Sequence, residues 1–214
     1  MREQYEEYLI DESKFSGYAD SISFPESEEE IQEVLRELEA AHIPVTIQGG
    51  KTGITGAAVP EGGHVMNLSH MNKVKGSLLL EDGTGRITVE PGINLIDLEK
   101  EIGAAFRKAP QFWPPDPTET SATVGGIAAT NAQGISRLLY GPARKYIESV
   151  RLVAGDGRVL TAEKGQKLAL PSGRVIDWID VVMGKEGITG AISELTLKLL
   201  PKPEGIWGIA FFFG

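Results

Sequence analysis

Apolar positions first fall into a clear rhythm at Ile31, Val34, Leu35, Leu38 and Ala41, which recur at helical spacing. Ser27 stands just ahead of them with Glu30 three residues later, a capping box, so the pattern predicts a helix over about 27–42. Ile43 to Ile47 then alternates apolar and polar like a strand entered through Pro44, and Val65 to Leu68 reads as another. Ser77 to Leu80 and Arg86 to Val89 flank Glu81-Asp82-Gly83-Thr84-Gly85, a hairpin signal. Asn94 is placed to cap a helix that carries Leu95, Leu98 and Ile102 on one face. Val150 to Val153 and Arg158 to Thr161 predict a second hairpin around Gly155-Asp156-Gly157. Residues 164–176 read as loop, Asp177 to Met183 as a short helix and Ala191 to Leu199 as a strand. Pro201 and Pro203 read as a linker, and Ile206 to Phe213 as the beginning of an apolar strand. Residues 1–24 are polar with scattered aromatics and are expected to wrap onto the body of the protein. Strict strand–helix–strand alternation is absent, so the fold class is a mixed α+β one.

The 214 residues, 41% of them hydrophobic, suffice to bury a real core in one domain or two closely packed lobes. A net charge of -9 argues against a nucleic-acid partner, which calls for a basic face. No apolar run approaches the roughly 20 residues that span a bilayer. The start of the chain is too acidic and polar for a signal peptide, so a cytoplasmic protein is expected. There is no cysteine, which excludes disulfides, iron–sulfur ligation and thiolate nucleophiles. The acidic runs at Glu28 to Glu30 and at Glu3, Glu6 and Glu7 read as solvated faces.

The 26 glycines are the compositional anomaly, and they cluster. In the first run, Gln48 to Gly56, the step Gly50-Lys51-Thr52 looks like the end of a P-loop. That motif needs a glycine at position 45, which is valine, and a helix directly after, which Gly53, Gly56 and Pro60 oppose. The glycine spacing of a dinucleotide-binding βαβ unit is also absent. What remains is a strand running into Gly-Gly-Lys-Thr-Gly. It is either a tight turn without a ligand or a concave anion site built from successive backbone N–H groups. The second run, Pro114 to Asn131, is rich in small and hydroxyl residues and starts a helix at Gly125-Gly126. It suits a flat, polar, phosphate-bearing ligand, or else it is a buried loop whose Ser and Thr cap their own backbone. The third run is Gly184-Lys185-Glu186-Gly187 through Ile192.

These three runs in this order, with Tyr140-Gly141 and Gly155-Asp156-Gly157 between them, resemble the FAD-binding domain of the vanillyl-alcohol oxidase / p-cresol methylhydroxylase superfamily. The similarity covers roughly residues 15–205 and is greatest to glycolate oxidase subunits and D-lactate or D-2-hydroxyglutarate dehydrogenases. The resemblance implies a two-lobed FAD-binding domain over residues 1–205, with lobes of about 1–110 and 111–205 and FAD between them. Residues 206–214 would then begin a cap domain that is absent. It also implies that Gly49, Gly50, Lys51, Thr52 and Gly53, in a loop closed by Gly56, grip the FAD pyrophosphate. Pro115, Ser121, Ala122, Thr123, Gly125, Gly126, Ala129 and Thr130 would line the ribityl and isoalloxazine region. Glu186, Gly187, Gly190 and Ile192 would hold the adenosine end.

Three positions depart from the family pattern. Gln48 stands where arginine is common, Lys51 where glycine or alanine is common, and Ile127 where asparagine is frequent. The Lys51 ammonium is either an added attraction for the pyrophosphate or an exposed lysine. Covalent members carry a histidine after the first glycines; here that residue is Thr52, and His42, His64 and His70 lie outside the motifs. With no cysteine either, the resemblance implies non-covalent FAD. The implied parent activity is oxidation of a 2-hydroxy acid, with FAD accepting hydride. The cap, in a missing segment or a partner subunit, would supply the substrate's carboxylate and hydroxyl ligands, so no catalytic acid or base is assigned in this chain, and no metal site is expected. The alternatives are a non-catalytic flavin-binding subunit of a larger redox complex and a UDP-N-acetylenolpyruvoylglucosamine reductase-like enzyme.

Overall fold

The computed structural model describes residues 3–205 and 208–212. Its regular elements are β1 (Ser21–Ser23), α1 (Glu28–Ala40), β2 (Val45–Gln48), β3 (His64–Asn67), β4 (Val74–Leu79), β5 (Gly85–Val89), α2 (Leu95–Ala105), β6 (Gln111–Phe112), α3 (Val124–Thr130), α4 (Arg137–Tyr140), β7 (Ile147–Val153), β8 (Val159–Glu163), β9 (Lys167–Ala169), β10 (Val175–Asp177), β11 (Ala191–Lys198) and β12 (Leu200–Pro201).

Helix α1 starts where its capping chemistry requires. The Ser27 hydroxyl accepts from the Glu30 amide at 3.2 Å, while the Glu30 carboxylate accepts from the Glu26 amide at 2.8 Å, one residue beyond the usual capping-box partner. The helix links two strands of a small parallel sheet in the order β1-β3-β2, as parallel pairing demands a crossover. Its buried face, Ile31 and Leu35, packs on Met66, Leu68 and Met71 of the sheet side and on Val153 and Ala191 beyond. The Glu28 carboxylate fastens the same junction. It accepts from Arg151 Nε and Nη2 at 2.6 and 2.8 Å and from the Ser193 hydroxyl at 2.6 Å.

Both predicted hairpins form, and they share a second sheet, antiparallel throughout, in the order β4-β5-β11-β7-β8. Strand β11 lies at its centre, with Leu195 and Leu197 fully buried against Ile87, Val89, Leu98, Ile102 and Ile127. Asn94 caps α2 by accepting from the Asp97 amide at 2.9 Å. The two sheets divide the chain near residue 73. Strands β4 and β5 precede residue 110, yet they belong with β7, β8 and β11.

Four local expectations change. Residues 164–176 hold a two-strand hairpin, β9 with β10, fastened by Asp177 accepting from the Gly165 amide; three-residue strands are too short to show a period. Asp177 to Met183 is a 3₁₀ turn at Trp178–Val181 rather than an α-helix. Pro201 is not linker but an edge position of β12, paired with Gln111 of β6, where its missing N–H costs no ladder bond. Of the stretch expected as a final strand, residues 208–212 are exposed and carry no strand, and 206, 207, 213 and 214 lie outside the described residues. Among the described residues, no helix is long and apolar enough to cross a membrane.

Candidate functional site

A cleft of about 450 Å³ opens where the end of β2, helix α3 and the start of β11 meet, and all three glycine runs line it. Gly49, Gly50, Lys51, Thr52 and Gly53 contribute from the first run. Ala122, Thr123, Gly125, Gly126, Ala129 and Thr130 contribute from the second, and Glu186, Gly187, Gly190 and Ile192 from the third. Gly56, Pro115 and Ser121 do not line it. Gly56 sits at φ 80° beneath the Phe15 ring, where a Cβ would come within 2.9 Å of the ring. Pro115 is buried. The Ser121 hydroxyl turns to Glu119 Oε1 at 2.8 Å.

Glycine serves two distinct purposes in the first run. At Gly49 a Cβ would collide with Thr123 Oγ1, and at Gly50 it would stand 2.7 Å from the Ser121 carbonyl oxygen, so these two glycines let the first and second runs touch. A Cβ on Gly53 would meet nothing within 4 Å. Among the described residues, the amides of Gly49, Gly50, Lys51, Thr52 and Gly53 donate to no backbone acceptor. Five successive free donors on a cleft wall are the raw material of an anion site.

The second run behaves differently from expectation. The helix start at the Gly-Gly step offers no free donors. The Val124 amide donates to Ile93 O at 2.9 Å, Gly125 to Pro91 O at 2.8 Å and Gly126 to Thr123 Oγ1 at 3.3 Å. Gly125 is needed because a Cβ there would press 2.6 Å from the Pro91 Cβ. The start of α3 therefore lends the cleft a wall and no free amides. The third run is docked on the end of α3, with the Gly184 and Glu186 amides donating to Ala128 O and Ala129 O at 3.1 and 2.8 Å. Glu186 is left-handed at φ 52°, and its carboxylate accepts from Thr55 Oγ1 at 3.4 Å, joining first and third runs.

Lys51 is the cation among the lining residues, and its ammonium is spent elsewhere. It donates to the Glu7 carbonyl at 2.7 Å and lies 4.0 Å from the Tyr8 ring centroid. It is not the exposed lysine of the second expectation, and its ammonium is already engaged by Glu7 and Tyr8. Gln48 is 2% exposed and donates to the carbonyls of Tyr8 and Ala58 at 2.8 and 2.6 Å. Ile127 is buried in the core, as an apolar residue at that position must be. The charged side chains left at the cleft are Glu119 and Glu186. Glu119 is held below the usual carboxylate range by the Ser121 amide and hydroxyl. His64 is buried between the Ser21 and Ser23 hydroxyls at 2.7 and 2.8 Å, and His70 stacks on Phe24, so no histidine lines the cleft. Thr55 and Thr118 also line it and lie within runs legible in the sequence. Leu68, Pro91 and Val182 arrive from distant segments with no local signal.

A family model described as an FAD binding domain matches residues 19–163. The chain belongs to this FAD-binding domain family. D-lactate dehydrogenase of Anaerostipes hadrus is 34% identical over 204 residues, which are 94% of this chain and 41% of that protein. D-lactate dehydrogenase of Archaeoglobus fulgidus is 34% identical over 88% of this chain and 40% of its own length, and glycolate oxidase subunit GlcD of Bacillus subtilis 30% over 89% and 39%. A solved alkyldihydroxyacetonephosphate synthase superposes with a TM-score of 0.69 at 26% identity, over 86% of this chain and 34% of that one. The chain thus spans about two fifths of the length of these curated relatives. The cleft of this FAD-binding domain fits its cofactor in kind: free main-chain amides suited to a diphosphate, small residues that leave room for a flat ring, and open space at Gly53.

Proposed function

We propose that this domain is the FAD-holding part of a flavin-dependent 2-hydroxy-acid oxidoreductase of the glycolate or D-lactate type, and that it binds FAD non-covalently between the bodies built on its two sheets. The observation that carries the reading is the row of unpaired amides from Gly49 to Gly53 on a cleft lined by all three glycine runs. The relatives named D-lactate dehydrogenase and glycolate oxidase subunit support the substrate class.

In this reading the amides of Gly49 to Gly53 bind the diphosphate. Ala122, Thr123, Gly125, Gly126, Ala129 and Thr130 wall the ribityl and isoalloxazine portion, and Glu186, Gly187, Gly190 and Ile192 wall the adenosine end. Bound FAD supplies the hydride acceptor. The domain's own work is orientation and exclusion of water. Among the described residues, the lining offers two carboxylates and no free cation. A 2-hydroxy acid's carboxylate therefore needs a basic group from outside this cleft, in a further domain or a partner subunit.

Anaerobic addition of glycolate or D-lactate to the FAD-loaded protein, joined by whatever domain or subunit completes it, tests the reading. Loss of the visible flavin absorbance, restored by an artificial electron acceptor, is the expected result. Flavin that stays oxidised with 2-hydroxy acids but is reduced by NADPH would point instead to chemistry of the UDP-N-acetylenolpyruvoylglucosamine reductase kind. Flavin that remains with the polypeptide after denaturation would overturn the non-covalent assignment.

A further inference from the structure

The first glycine run is gripped by a segment about forty residues earlier. Buried Gln48 donates to the Tyr8 carbonyl, and the Lys51 carbonyl accepts from the Glu12 amide at 3.2 Å. The Phe15 ring covers Gly56, and Gly17 comes so close to Pro60 that a Cβ would collide with the Pro60 carbonyl oxygen. The Tyr18 amide donates to that same carbonyl at 3.0 Å. Tyr8 is itself seated: its ring meets Phe24 edge-on with centroids 5.1 Å apart.

Lys51 gives this packing a purpose. Its backbone is left-handed at φ 57°, a conformation that glycine adopts freely and lysine does not. Lys51 lines the cleft, yet its side chain is 18% exposed and its ammonium ends on residues that do not line it. The ammonium rests on the Tyr8 ring, donates to the Glu7 carbonyl and stands 3.6 Å from the Glu7 carboxylate. A side chain anchored at its far end opposes relaxation of the backbone at its near end.

We propose that residues 5–18 are a strap that sets the shape of the phosphate-binding loop, with Lys51 as its positioning residue and the Tyr8 ring as the seat of its ammonium. The inference rests on reading Gly49 to Gly53 as the diphosphate site. It assigns Lys51 a role through the loop's backbone and not through its charge on the ligand.

The test uses the whole protein with Tyr8→Leu, Tyr8→Phe, Lys51→Met and the Tyr8→Leu/Lys51→Met double variant. Two readouts are taken: the FAD dissociation constant from flavin fluorescence, and, without FAD, the rate of tryptic cleavage after Lys51 relative to the other lysines. Tyr8→Leu is expected to weaken FAD binding about fivefold, the effect of losing a partly desolvated cation–π contact. It should speed cleavage after Lys51 several-fold, because the freed ammonium becomes accessible. Tyr8→Phe keeps the ring face and should match the parent in both readouts. Lys51→Met should weaken binding similarly, and the double variant should be no worse than the weaker single one, since both break the same link. Wild-type FAD affinity in Tyr8→Leu with unchanged cleavage overturns the strap. So does a double variant whose losses multiply, which would give Lys51 a direct contact with the phosphates. A parent protein that binds no FAD would remove the cofactor reading, and the cleavage rates would still decide the strap.

Discussion

At the scale of single residues, the glycines of the first run separate into those that shape the protein and those that leave room. Gly50 is the first kind, with the Ser121 carbonyl oxygen 2.7 Å from where its Cβ would stand. Gly50→Ala should destabilise the fold by roughly 1–3 kcal/mol, as overpacking does, and lower the melting temperature by several degrees. Gly53 is the second kind, with open space at that position and no left-handed angle. Gly53→Ala should leave the melting temperature nearly unchanged while weakening FAD binding about tenfold, or near 1.4 kcal/mol, because the methyl intrudes on the cleft. Paired thermal melts and FAD titrations on the two variants check this, and equal behaviour of the two would refute the distinction. Lys51 is the costly member of the same run. A lysine in the left-handed region gives up about 1 kcal/mol or more, which its contacts with Tyr8 and Glu7 offset.

Among the elements, the short parallel sheet depends on one buried imidazole. His64 pairs in register with Ser21, and its two ring nitrogens reach the hydroxyls of Ser21 and Ser23, so it clamps β1 onto β3. Burial holds its proton affinity below the ordinary 6.5. The unfolded chain therefore takes up the proton before the folded one does. The stability tied to neutral His64 is complete above pH 6.5 and drains as the pH falls through that value toward the folded-state one. Urea unfolding between pH 7.5 and pH 5, ranges set about the ordinary histidine value, should show this decline in the parent and a flatter profile in His64→Asn. The cap of α3 makes a second element-scale case. Thr123→Ala removes the acceptor for the Gly126 amide and should cost about 1 kcal/mol, read as a lower denaturation midpoint.

Elements with chemical punctuation were legible in the sequence. Ser27, Asn94 and the Asp-Gly turns located α1, α2 and both hairpins, because caps and turns are local chemistry. Pairing beyond the two hairpins was not legible. Nothing near residue 74 announces that β4 and β5 join a sheet completed more than a hundred residues later by β11. The same divide runs through the site. Fifteen of the expected residues line the cleft because they sit in contiguous small-residue runs; which amides stay free depends on distant carbonyls such as Pro91 O and Ile93 O. The destination of the Lys51 ammonium was hidden because Tyr8 lies in a segment with no periodicity.

For the molecule as a whole, the claim is that three separated runs of small residues converge so that the first presents unpaired amides to a diphosphate. That claim distinguishes FAD from flavins that lack the diphosphate. Equilibrium titration of the purified protein with FAD and with riboflavin, followed by flavin fluorescence, is the most direct measurement. The account predicts one FAD bound per chain, with riboflavin weaker by about two orders of magnitude or more, the worth of several charge-assisted hydrogen bonds. Riboflavin binding as tightly as FAD, or no binding of either, would contradict it.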